Sequence, residues 1–120
     1  MATKIAVIGS KGRMGKAILD LARADKTLQI TGEGDYGDDL AKVTAGAQAV
    51  VDFSHRSATE AVLKAAQAAK AACVIGTTGH TEAERGLITA ASHKIPLIHS
   101  PNFSMGVNLL FYLTGQAAKA

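Results

Sequence analysis

The sequence has no tryptophan, one cysteine, two prolines and an aromatic content of 4%. A single cysteine, Cys73, cannot form an internal disulfide, so an ordinary core must hold the fold, as suits a reducing compartment. No apolar run reaches the roughly 18 residues that a bilayer-spanning helix needs, and the N-terminus lacks the basic region, apolar stretch and cleavage site of a secretory leader. A soluble, cytoplasmic protein with no membrane partner is expected. The net charge of +3 hints at nucleic acid, yet lysines and arginines stand singly and aromatics that could stack on bases are scarce. No nucleic-acid partner is expected. What the sequence does have is apolar material. With 48% hydrophobic and 19% charged residues over 120 positions, it supports one core and one domain and excludes disorder.

That material is arranged as alternating strands and helices. Ile5-Ala6-Val7-Ile8 is a short apolar run that stops at Gly9, the pattern of a strand buried on both faces. Met14, Ala17, Ile18, Leu21 and Ala22 then recur at helical spacing as far as about Asp25. A second strand is expected over about 28–34, interrupted by Gly32 and Gly34, where another backbone or a ligand would come close. Ala49 to Phe53 reads as the third strand, Ala72 to Ile75 as the fourth and Ile95 to His99 as the fifth, with Pro96 near its start. Ser57 with Glu60 and Thr81 with Glu84 have the spacing of capping boxes opening the intervening helices, and a last helix is expected from about Gly106 to the C-terminus. The pattern predicts an α/β fold, a Rossmann-like doubly wound parallel sheet with helices on both faces and strand order 3-2-1-4-5.

The chemistry-bearing residues sit where the strands end. Gly9-Ser10-Lys11-Gly12-Arg13-Met14-Gly15 follows the first strand and opens the first helix, a GxxGxxG spacing in the context of a dinucleotide-binding turn. Bare backbone there lets a diphosphate approach free amides at the positive end of a helix dipole. The same loop without a Gly-Lys-Ser/Thr ending is no P-loop. An acid about 20 residues on is expected to bond the adenosine ribose, and Asp35 follows Gly15 at about that distance, with Glu33 as competitor. Lys11 and Arg13 are the basic groups that a 2′-phosphate would meet, so the choice between NAD and NADP stays open. Asp52-Phe53-Ser54-His55, Gly76-Thr77-Thr78-Gly79-His80 and Ser100-Pro101-Asn102-Phe103-Ser104 end the later strands, and in an open α/β sheet they converge on one crevice beside the glycine loop. His55 and His80 are within reach of that crevice, but the four histidines have no ligand spacing, no metal site is expected, and they are read as surface or satisfied loop histidines. Cys73, inside an apolar strand, is expected to pack and not to react.

Together these segments resemble the N-terminal domain of the dihydrodipicolinate reductases, also called 4-hydroxy-tetrahydrodipicolinate reductases. The resemblance rests on GxxGRMG at Gly9–Gly15, VVDFS at Val50–Ser54, VIGTTG at Val74–Gly79 and PNFSMGVNLL at Pro101–Leu110, in the family's order and along essentially the whole chain. It implies an NADH- or NADPH-dependent oxidoreductase of lysine and diaminopimelate biosynthesis. The reaction transfers hydride to a cyclic dicarboxylate with loss of water, giving tetrahydrodipicolinate. The resemblance further implies that Gly9, Ser10, Lys11, Gly12, Arg13 and Met14 hold the pyrophosphate and that Asp35, with Tyr36 beside it, meets the adenosine ribose. Gly76, Thr77 and Thr78 would lie under the nicotinamide, with Thr78 also near a substrate carboxylate, and Ser100, Pro101, Asn102 and Phe103 would hold the carboxamide.

The chain departs from the family at Tyr36, where an arginine is frequent, at His80, where a phenylalanine commonly follows GTTG, and at Arg56, where proline is common. It is also about half the family's length. The expectation is a dinucleotide-binding domain over 1–104 and a helix over 105–120 leading towards a substrate and tetramerisation domain that lies outside this chain. No catalytic residue is then expected in this chain, and the piece alone is expected to be inactive and a monomer or weak dimer, where full-length family enzymes are homotetramers. The alternatives are a stand-alone, non-catalytic NAD(P)-binding module and, lowest, a nonspecific nucleic-acid binder.

Overall fold

A computed structural model describes residues 1–120. Five strands, β1 (Thr3–Ile8), β2 (Leu28–Gly34), β3 (Ala49–Asp52), β4 (Ala72–Ile75) and β5 (Leu97–His99), alternate with helices α1 (Arg13–Ala24), α2 (Leu40–Val43), α3 (Thr59–Ala68) and α4 (Glu82–Ser92), and α5 (Met105–Lys119) follows. A short 3₁₀ turn, Arg56–Ala58, leads into α3. All four strand pairings are parallel. No helix is long and apolar enough to cross a membrane.

The sheet order is β2-β1-β3-β4-β5, which corrects the expected 3-2-1-4-5. The difference is where the third strand goes. It crosses over β1 and pairs with it from Ile5 opposite Ala49 to Ile8 opposite Asp52, instead of adding to the outer side of β2. Composition explains the choice. β2, with Gln29, Thr31 and Glu33 exposed along it and a bulge opposite Ile5/Ala6, suits an edge, whereas the apolar run of β3 suits the interior. The chain therefore reverses direction between β1 and β3, and that is the switch point of the sheet.

Two cores flank the sheet. Ile5 and Val7 pack with Leu19 and Ala22 of α1 on one face. On the other, Ile8, Val50, Cys73 and Ile75 pack with Val62, Leu63 and Ala66 of α3 and Ile88 and Ala91 of α4. The strands' alternation decides this assignment, since successive side chains point to opposite faces. Val43 of α2 lies so close to β2 that a Cβ on Gly32 would collide with its carbonyl oxygen, so the expected close approach at that glycine is to backbone. Helix α5 buries none of its residues.

Of the two expected capping boxes, one forms. Thr81 accepts from the Glu84 amide at 3.2 Å and Glu84 accepts from the Thr81 amide at 2.7 Å. At the start of α3 there is none, because the cap position is Ala58, the Ser57 amide donates to His55 Nδ1, and Glu60 pairs with Lys64. Thr81→Ala is therefore expected to cost about 1 kcal/mol of stability. Ser57→Ala is expected to change it by less than about 0.5 kcal/mol. Urea unfolding of the two variants checks the contrast.

Candidate functional site at the switch point

The site begins where β1 and β3 part. Gly9 has φ +86°, and a Cβ there would strike the Phe53 carbonyl oxygen; a Cβ on Gly15 would strike the Gly9 carbonyl oxygen. Main chain is thus packed on main chain twice within one turn, which only glycine permits. The loop then uses most of its own amides. Gly9 and Ser10 donate to the Gly34 carbonyl at 2.9 and 3.1 Å, Gly12 donates to the Gly9 carbonyl at 3.0 Å, and Lys11 donates to Asp35 Oδ2 at 2.9 Å. The amides of Arg13, Met14 and Gly15, in the first turn of α1, have no acceptor, and the Gly12 cap supplies no side-chain oxygen. Anion-binding capacity is therefore concentrated at the helix end of the loop, where the helix dipole also acts.

Asp35 closes the β2 side. Its carboxyl lies below the ordinary aspartate value of 3.8 chiefly because the Lys11 amide donates to it, with the Tyr36 amide adding to the effect against some desolvation. Asp38 accepts from the Asp35 amide at 2.8 Å, and Asp39 caps α2. Tyr36 is exposed and, with Asp35, Asp38 and Ser57, borders a hollow of about 320 Å³.

From the glycine loop the crevice runs over β3 and β4 to the end of β5. A cleft of about 410 Å³ is lined by Arg13, Met14, Phe53, Ser54, Gly76, Thr77 and Thr78. It adjoins another of about 400 Å³ that shares Met14, Phe53 and Gly76 and adds Pro101, Asn102 and Phe103. The Phe53 ring covers Gly76 so closely that no Cβ would fit there, and its centroid is 5.9 Å from that of Phe103. The two threonines differ. Thr77 is buried and its Oγ1 accepts from the Ser54 amide at 3.0 Å, so it ties two loops together, whereas Thr78 is exposed at the cleft wall. Ser100 is occupied with shaping its own turn, taking the Asn102 amide and donating to the Asn102 carbonyl. Asn102 Oδ1 accepts from the Ser104 amide, while its Nδ2 is buried without a partner beside the cleft. A donor in that state is a ready contact for a carbonyl-bearing ligand.

The structure thus brings the glycine loop, Asp35, the threonine loop and the Ser100–Phe103 segment to one edge of the sheet. It also brings Phe53 and Ser54, whose segment was expected there although no individual role was assigned to them. The histidines go elsewhere. His80 is buried behind its loop, with Nε2 2.8 Å from Thr59 Oγ1 and its ring edge-on to His99, and exposed His55 accepts from the Ser57 amide. Neither lines the cleft. No cluster of metal-ligating side chains is found.

With this geometry in hand, comparison with known proteins is decisive. The family model described as dihydrodipicolinate reductase, N-terminus, matches residues 3–103. The chain belongs to that family. It is 41% identical over 115 residues to the 4-hydroxy-tetrahydrodipicolinate reductase of Akkermansia muciniphila, covering 96% of the chain and 47% of the relative. It is 38% identical over 140 residues to that of Anaeromyxobacter dehalogenans strain 2CP-1, covering 98% and 52%. The chain therefore spans about half the length of the curated relatives it matches. A solved dihydrodipicolinate reductase from Paenisporosarcina sp. TG-14, bound to dipicolinate, superposes with a TM-score of 0.78 at 17% identity over 98% of the chain and 54% of the other, which establishes the shared Rossmann-type fold.

Two measurements follow from the electrostatics of the site region. The Asp35 carboxyl value is depressed, so its bonds from the Lys11 and Tyr36 amides are intact at and above the ordinary carboxylate range and are lost only as pH falls below 3.8. The Lys11 amide shift in an NMR titration is expected to move with a midpoint below that value. Burial pushes the Cys73 thiol up to about 12. It is expected to resist a thiol-specific reagent in the folded protein and to react fully once unfolded.

Proposed function

We propose that the chain is the cofactor-binding half of a 4-hydroxy-tetrahydrodipicolinate reductase, acting in the cytoplasm in lysine and diaminopimelate biosynthesis. In this reading a nicotinamide dinucleotide would lie across the switch point and would supply the hydride that, with a proton from outside this chain, reduces a cyclic dicarboxylate with loss of water. The observation that carries the proposal is the run of unspent donors along one crevice, from the Arg13 and Met14 amides to Asn102 Nδ2. Those donors fit a ligand with a diphosphate at one end and a carboxamide at the other.

The cofactor supplies the reducing chemistry, and the chain supplies placement. The free amides at the start of α1 hold the diphosphate, and Asp35 accepts from a ribose hydroxyl. Phe53 and Phe103 form an apolar wall that keeps water from the reducing end. Asn102 fixes the carboxamide and so decides which ring face is presented, while the exposed hydroxyl of Thr78 meets a substrate carboxylate. No residue of this chain is assigned to protonate the substrate. That role, with most of the substrate contacts and the assembly into a tetramer, is assigned to a second domain reached through α5. Its exposed Met105, Leu109, Leu110, Phe111 and Leu113 form an apolar surface of the kind that helices bury.

We assign the cofactor as NADH in preference to NADPH. Asp35, Asp38 and Asp39 cluster at the β2 exit, Tyr36 brings no charge, and the Lys11 ammonium beside them already acts on Asp35. A 2′-phosphate there meets carboxylates, and like charges at short range oppose binding.

Titration with NADH is expected to shift the Arg13, Met14 and Thr78 amides, and no binding at millimolar cofactor would overturn the proposal. Asp35→Ala is expected to weaken NADH about tenfold, the loss of a hydrogen bond to a charged group. Tyr36→Arg is expected to move preference towards NADPH. Equal affinity of the unaltered chain for the two cofactors would contradict the assignment of NADH.

A further inference from the structure

Asp52 is the last residue of β3, 0% exposed, and lies opposite Ile75 in the β3–β4 register. Its environment is unlike that of Asp35 at the other side of the site. No basic group forms an ion pair with it. Oδ1 accepts from the Ser54 amide at 3.0 Å and from the Ser54 hydroxyl, while Oδ2 is buried without any donor. The same Ser54 amide also reaches Thr77 Oγ1 at 3.0 Å, and Thr77 Oγ1 lies 3.5 Å from the Asp52 carbonyl. Through Ser54 the carboxyl is therefore tied to the threonine loop, a buried knot at the β3 exit beside the cleft that Ser54 and Thr77 line.

A buried carboxyl with one oxygen unpaired is costly to ionise, so it holds its proton to higher pH than an exposed aspartate does. We infer that Asp52 is a positioning residue whose buried carboxyl, through Ser54, locks the β3 exit against Thr77 in the wall of the cofactor crevice. This rests on the proposed function only for what the crevice holds; the lock itself is a property of the chain. The titratable groups facing Asp52 are Cys73 on β4 and His80 at the end of the threonine loop. Burial, the largest effect on the carboxyl, raises it above 3.8 against the opposing pull of Ser54, Thr77 and His80. Raised in the folded state, the group contributes stability that is present at low pH and lost as pH climbs through the raised value.

The test uses the unaltered chain, Asp52→Asn and Asp52→Ala. Asparagine copies the shape and the Oδ1 acceptor, so its Ser54 and Thr77 amide shifts are expected to stay close to those of the unaltered chain. Its NADH affinity is expected to stay within about twofold. Alanine removes the knot, and displaced amides with at least about tenfold weaker NADH binding are expected. The infrared carbonyl band of a buried protonated acid is expected to persist above pH 3.8 in the unaltered chain and to be absent from Asp52→Asn, and stability is expected to fall as pH rises from 3.8 through the raised value in the unaltered chain and not in Asp52→Asn. Absence of that band, or an asparagine variant that unfolds or behaves as alanine does, overturns the inference. The band, the amide shifts and the stability profile need no cofactor. Failure of NADH to bind the unaltered chain therefore strikes the proposed function and leaves these three to decide on Asp52.

Discussion

The contact on which the molecule turns is main chain against main chain at the exit of β1. Gly9 lies on the Phe53 carbonyl and Gly15 on the Gly9 carbonyl, with no room for a Cβ at either place. The first contact sets how closely β3 follows β1 at the switch point, and the second seats the N-terminus of α1 directly on the turn. If either were relaxed, the amides of Arg13 and Met14 would no longer face the same opening as the threonine loop. Because the loop satisfies its first amides internally, its conformation is held before any ligand arrives, which lowers the ordering cost of binding.

That arrangement also explains why some of the structure could be read from the sequence and some could not. Strands β1, β3 and β4 are announced by short apolar runs, and Thr81 with Glu84 marks the start of α4, because these signals are local and their partners lie within a few residues. Ser57 and Glu60 have the same spacing, yet each finds a competing neighbour, His55 and Lys64, that spacing does not reveal. Sheet order failed for a different reason. Runs of apolar residues identify strands but not their partners, and the polar, bulged character of β2 was the available sign that nothing pairs with its outer side.

The segments that carry Asp35, Thr78 and Asn102 could be expected at one edge because strand ends in an open parallel sheet share one crevice, while the roles of Thr78 and Asn102 were implied only by the family resemblance. The separate duties of Thr77 and Thr78 could not, since only the register between β3 and β4 turns one hydroxyl towards Ser54 and leaves the next one free. His80 was within reach of the crevice on the same logic of strand ends, though read as a satisfied loop histidine. It turns away because Thr59 offers a buried partner behind the loop, a contact between residues 21 apart in sequence.

The crevice is graded along its length, and the grading suits the dinucleotide of the proposed function. At the α1 end it offers backbone donors in an open setting, with the aspartates of the β2 exit beyond them. At the β5 end it offers two phenylalanines in tilted contact and one unpaired amide. A dinucleotide is graded in the same sense, with charge at its centre and a flat ring bearing one carboxamide at its reducing end. Backbone amides suit the first because they hold an anion without adding a mobile charge, and an apolar wall suits the second because hydride transfer needs orientation and exclusion of water more than it needs charge.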